Sequence, residues 1–267
     1  MKKSIKGFVS YFGNCYSRSG FRIVFFALYL IFTLFSAVLF FASGRVRDGF
    51  LPIAYFALFV IMLPLFEYAL DMRCGALFLV VLFFVPIGGI LGTCYDLYMI
   101  FPWFDTLLHA VSGLIFACLG YSIMERILIS RGGSGLAAVL FAISFSLAIA
   151  VLWEMFEWLL TVAMRGDMQE DGIVKEINSY YLAGSHEKPL NIPNIDKTVI
   201  VYNGGETYTV EGGYLDLGVF DTLLDMLVCL IGAASFAVIS VIDRIIGTHI
   251  TESITPRYKS IAISKVT

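Results

Sequence analysis

Asp105 and His109 stand four residues apart at the start of FDTLLHAVSGLIFACLGYSIM, residues 104–124. Glu154 and Glu157 stand three apart in WEMFEW, and Asp221 and Asp225 four apart in FDTLLDM. Each spacing puts its pair on one face of a helix. All three stretches are otherwise apolar. An ionisable group in hydrocarbon is costly, so such residues face a bundle interior or a water-filled cavity and mark working sites. Imidazole with carboxylates is a donor set for zinc, manganese or iron, and helical bundles build such centres from inward-facing side chains. Asp105, His109, Glu154, Glu157, Asp221 and Asp225 are therefore the candidate metal ligands. His109, Glu157 and Glu154 are the candidate catalytic acid–base groups. No Glu-x-x-His pair is present, so the usual di-metal spacing is not met.

Depth along the helices links the three stretches. Counted from the expected span ends, His109 lies roughly 9 Å in, and Glu157 and Asp225 roughly 10 Å in. Glu154 lies one turn deeper and Asp221 nearer the surface. Three helices are thus expected to meet around one polar pocket. Five carboxylates there would repel one another unless some are protonated, a cation sits among them, or water fills the space. Plainer roles exist for each residue. His109 suits an interhelical hydrogen bond, Asp105 and His109 a local contact at a helix start, and Asp221 a first-turn carboxylate favoured by the helix dipole. Trp153 and Trp158 suit packing and the membrane interface. Ser112, three residues from His109, does not make a nucleophilic triad.

The rest of the chain must position these groups in a membrane. Of its 267 residues, 59% are hydrophobic and 15% charged, with a mean hydropathy of +0.85. Soluble domains are about 45–50% apolar and about 25% charged. Spans are expected over about 21–43, 50–70, 75–95, 104–124, 135–164 and 218–243. The fold class is an all-α polytopic membrane protein, a six-transmembrane-helix bundle. Alternating strands of a membrane barrel are absent from the sequence, and no basic run points to nucleic acid. The first apolar run is too long for a signal-peptide core and is read as a retained span. Residues 1–20, with Ile5, Phe8, Val9 and Phe12 at helical spacing among lysines, suit a short interfacial helix. Pro86 is expected to kink the third span. Gly113 is expected to admit a close neighbour.

The domain reading is residues 1–164 for the first five spans, 165–217 for an outer loop, 218–243 for the sixth span and 244–267 for a cytoplasmic tail. Within the loop, TVIVYNGGETYTV reads as a β-hairpin turning at Asn203-Gly204-Gly205. The loop is read as a small cap over the outer face, and His186 within it as a remote ligand candidate. Twelve of the 18 lysines and arginines fall on the side of the termini and six on the other. The positive-inside rule then places both termini in the cytoplasm of a bacterial inner membrane. Cys15, Cys74, Cys94, Cys118 and Cys229 form no CxxC motif and are expected to serve as small packing residues.

FDTLLHAVSG, WEMFEW and FDTLLDMLVCLIGA, in that order, resemble signature blocks of the YjdF-like bacterial inner-membrane proteins, a family of unknown function. A more distant similarity is to VanZ-like proteins, associated with tolerance of glycopeptide antibiotics. Those also pair an early Asp-x-x-x-His helix with a late helix bearing acidic or amide groups before a glycine, here Asp221, Asp225 and Gly232. The resemblance covers about residues 96–235. The loop before the last span is longer here than that family implies, and Asp225 stands where VanZ-like chains often carry Asn.

Three functions follow as expectations. The first is an envelope- or lipid-related membrane enzyme with an outward-facing pocket, possessing a divalent metal or a histidine or glutamate base, and acting on a lipid or envelope precursor in the bilayer. The second is a proton- or ion-coupled transporter, for which a polar path from Glu154 toward Glu67 would be the sign. The third is a structural or binding protein without catalysis.

Overall fold

The computed structural model describes residues 4–129, 135–165 and 167–258. Helix α1 spans Ile5–Cys15, and Ser4 caps it by accepting from the Gly7 amide at 3.1 Å. Then come α2 (Gly20–Ala42), α3 (Val46–Leu70), the two-residue strand β1 (Met72–Arg73), α4 (Ala76–Cys94) and the single turn α5 (Leu97–Ile100). Helix α6 runs Phe104–Ile129 and α7 runs Gly135–Met164. Short elements follow: β2 (Gly172–Val174), β3 (Ile177–Ser179), α8 (Tyr180–Ala183), β4 (Leu190–Ile192), β5 (Lys197–Tyr202), β6 (Glu206–Glu211) and β7 (Tyr214–Asp216). Helix α9 (Val219–Ile246), α10 (Ile250–Ile254) and β8 (Arg257–Tyr258) complete the described chain.

Six of these helices, α2, α3, α4, α6, α7 and α9, are long and apolar enough to cross a membrane. The protein is therefore a multi-pass helical membrane bundle with small strand pairs. Large apolar side chains such as Leu28, Phe35 and Val38 of α2 point outward. In water that would be a liability, but in a bilayer the lipid tails cover them. Pro86 lies buried inside a continuous α4.

The chain forms two compact units, Met1–Ile149 with Val228–Thr267, and Ala150–Leu227. In the first, Phe26, Leu63, Phe78, Ile115, Ala142 and Phe236 belong to one buried apolar cluster. Tyr29, Phe40, Ile90 and Cys94 make a second. The segment after α9 is held to the rest of this unit. Tyr258 and Arg257 pair antiparallel with Met72 and Arg73. The Asp243 carboxylate accepts from the amides of Ile250 and Thr251, both at 3.0 Å, and from the Thr248 hydroxyl. Asp243 stands near the end of α9. Its carboxylate caps α10.

The second unit holds the strand pairs. β2 pairs with β7, β3 with β4 and β5 with β6, all antiparallel. The β5–β6 pair is the hairpin expected from the sequence. Asn203, Gly204 and Gly205 turn it with φ of 46°, 80° and 139°, values that glycine and asparagine tolerate best. The Asp216 carboxylate accepts from the Phe220 amide at 2.7 Å and so caps the first turn of α9.

Candidate functional site

Asp105 and His109 are brought together on α6. Asp105 Oδ2 lies 3.5 Å from His109 Nε2. The ring is buried and the carboxylate half-buried. On the other side of the imidazole, Cys229 Sγ lies 3.9 Å from Nδ1, and the same thiol donates to the His109 backbone carbonyl at 3.2 Å. The residues thus form an Asp–His–Cys row across α6 and α9.

This row exists because two helices cross without side chains between them. A Cβ added to Gly113 would fall on the carbonyl oxygen of Cys229, and one added to Gly232 on the carbonyl oxygen of Ala110. Backbones that approach this closely need glycine at both contact points. A third helix joins there, since the Ser146 hydroxyl donates to the Gly113 carbonyl at 2.8 Å. Gly113 is one turn after His109, and Gly232 three residues after Cys229. The crossing therefore delivers the thiol to the ring.

The separation of 3.5 Å has chemical content. An N–H···O hydrogen bond spans about 2.7–3.2 Å. An ion bound tetrahedrally, with bonds of about 2.1 Å to nitrogen and oxygen, holds those atoms about 3.4 Å apart. The pair is thus set wide for a direct hydrogen bond and at the right width for two ligands of one cation.

The other candidates lie in the Ala150–Leu227 unit. Glu154 and Glu157 are buried on α7, at 4% and 9% exposure. Glu157 Oε1 accepts from Trp153 Nε1 at 2.8 Å, so Trp153 orients that carboxylate. Asp225 is buried on α9, at 2% exposure. Asp221 is half-buried. Its Oδ2 accepts from the Glu170 amide at 3.1 Å, beside a 2.6 Å bond from Gln169 Nε2 to the Thr222 hydroxyl. Asp221 thus ties the chain leaving α7 to the first turn of α9. His186 sits beside the Tyr180 ring, with centroids 5.8 Å apart.

Two features escaped the sequence reading. Cys229 was expected only to pack, although it stands one helical turn after Asp225. The second is a buried ion pair. Arg22 Nη2 lies 2.6 Å from Glu67 Oε1, and the two residues are 6% and 0% exposed. Glu67 Oε1 also accepts from the Cys74 amide at 2.8 Å, and Oε2 from the Tyr11 hydroxyl at 2.7 Å and the Cys15 thiol at 3.3 Å. Arg22 Nη2 donates to the Cys74 carbonyl at 2.8 Å and Nη1 to the Cys15 carbonyl at 3.2 Å. Burial, and then the charge of Glu67, push the Cys15 thiol up to about 12 and the Cys74 thiol well above its usual value. Glu67 is consumed in latching α1 against the end of α3. A carboxylate so fully engaged by a guanidinium is poorly suited to passing protons.

A family described as "Predicted membrane protein (DUF2238)" matches residues 22–244. No curated protein and no solved structure matches the chain. The matched range takes in all six long apolar helices nearly end to end, with the Arg22–Glu67 pair, the Asp105–His109–Cys229 row and the glycine crossing inside it. The chain belongs to this family of predicted membrane proteins.

Proposed function

We propose that Asp105 and His109 hold a divalent metal ion inside the membrane, and that the protein uses it on a lipid-linked or envelope precursor. The observation that carries this reading is the Asp105 Oδ2–His109 Nε2 separation of 3.5 Å within a membrane span. Nitrogen with carboxylate oxygen suits zinc, manganese or iron. A bound ion of this kind acidifies a coordinated water or polarises a carbonyl or phosphoryl oxygen. An intramembrane centre meets substrates that partition into the bilayer, which is the reason for a lipid-linked substrate class. The sequence similarity to VanZ-like proteins supports an envelope role in a bacterial inner membrane. The lysine and arginine distribution supports cytoplasmic termini.

Elemental analysis of purified protein tests the reading, with wild type beside His109→Ala and Asp105→Asn. One equivalent of metal in wild type, lost in both variants, is the expected result. Metal-free wild type that also fails to take up added zinc, manganese or iron overturns it.

A further inference from the structure

We infer that Cys229 is a positioning residue that holds His109 in the Nδ1-protonated form and so turns the Nε2 lone pair toward Asp105; this rests on the proposal that Asp105 and His109 bind metal. The argument begins with the thiol proton. Cys229 Sγ donates to the His109 carbonyl at 3.2 Å. A thiol has one proton to give. With that proton directed at the carbonyl, the sulfur meets the ring nitrogen 3.9 Å away as an acceptor. Nδ1 must then carry the hydrogen, since two lone pairs facing each other in a buried site repel.

The consequence lies across the ring. With hydrogen on Nδ1, a neutral imidazole presents a bare Nε2 to Asp105 Oδ2 at 3.5 Å. A lone pair and an ionised carboxylate oxygen at that distance repel unless a carboxyl proton or a cation lies between them. In the metal-free protein the Asp105 carboxyl proton fills that place, and a metal ion bound through Nε2 and Oδ2 replaces it. Metal-binding histidines are commonly held in this way, with the far ring nitrogen donating to an acceptor that fixes the ring's orientation and proton. Here the acceptor is a thiol, delivered by the glycine crossing. Cys229 is on the Nδ1 side, so it orients the ring and does not bind the same ion.

The experiment uses NMR of isotope-labelled histidine ring nitrogens in the full chain. His186→Gln and His249→Gln are introduced first, leaving His109 as the observed ring. Spectra are taken on chelator-treated protein, so they report the tautomer whether or not the protein carries metal. The expected result is Nδ1–H in the parent and in Cys229→Ser, whose hydroxyl can donate and accept in the same way. Cys229→Ala and Cys229→Val should lose that preference, valine filling the volume of the thiol should alanine leave the fold unstable. Zinc affinity should fall about 10- to 100-fold in both apolar variants and stay close to the parent in Cys229→Ser. An Nε2–H tautomer in the parent, or an unchanged Nδ1–H signal in the apolar variants, overturns the role of Cys229. Absence of zinc binding in a parent that shows Nδ1–H overturns the metal reading instead.

Discussion

Arg22 and Glu67, 45 residues apart in sequence, form a buried ion pair at 2.6 Å. Every oxygen of the carboxylate is engaged, and α1, α2, α3 and the Cys74 backbone all meet at it. Breaking one partner of a buried pair leaves the other charge uncompensated, at about 3–5 kcal/mol. Glu67→Gln and Arg22→Met should each destabilise the protein by that order. The double variant should cost less than their sum, because no lone charge remains. Thermal unfolding in detergent of the four proteins checks this, and simple additivity would show that the pair is not coupled.

The glycine crossing predicts a sharp steric effect. Gly113→Ala and Gly232→Ala each put a methyl group onto a facing backbone carbonyl, which cannot move aside as a side chain would. Both should lower the yield of folded protein or its melting temperature markedly. Gly20→Ala, whose added Cβ meets nothing within 4 Å, should match wild type. Equal behaviour of all three would show that the helices are not this close.

Ligand linkage gives a readout independent of any activity. Added zinc at a hundredfold excess over its dissociation constant stabilises a folded site by about 2.7 kcal/mol. Melting of the wild type should rise accordingly, and His109→Ala should not respond. A similar shift in both would place the ion elsewhere.

The acidic segment after α7 has a predicted pH dependence. Asp171 is exposed, and slight desolvation, with Asp167 and Asp216 nearby, raises its carboxyl above its ordinary value. A raised carboxyl favours the folded state while protonated. That contribution is whole below the ordinary carboxylate value and is lost as pH rises through the folded value. Asp171→Asn should therefore stabilise this segment at neutral pH and make little difference in acid. Hydrogen exchange of the 167–216 region at the two pH values checks the sign.

The five cysteines should resist alkylation while the protein is folded. All are buried and none is in a disulfide, and the Cys15 thiol, pushed up to about 12, holds almost no thiolate at neutral pH. Maleimide labelling should appear only on denaturation. Rapid labelling of the native protein at Cys15 would show that α1 detaches from the end of α3.

The class of the protein was readable from the chain alone. Length and hydropathy of each run suffice for membrane spans, because the bilayer imposes a local requirement of about 20 apolar residues. Turn chemistry is local as well, so Asn203-Gly204-Gly205 marked its hairpin. Charges stranded in apolar runs pointed to Asp105 and His109 for the same reason, since their cost does not depend on the partner. What the sequence could not provide were the partners themselves. Nothing near Glu67 foretells Arg22, and nothing in the composition of α9 sets Cys229 apart from a packing residue. Nothing around Asp243 foretells the α10 amides that its carboxylate accepts from. These pairings depend on which helix faces meet and how closely. Gly113 and Gly232 permit a close approach wherever they stand, but only the packed bundle decides which carbonyl lies opposite and which side chain is carried in with it.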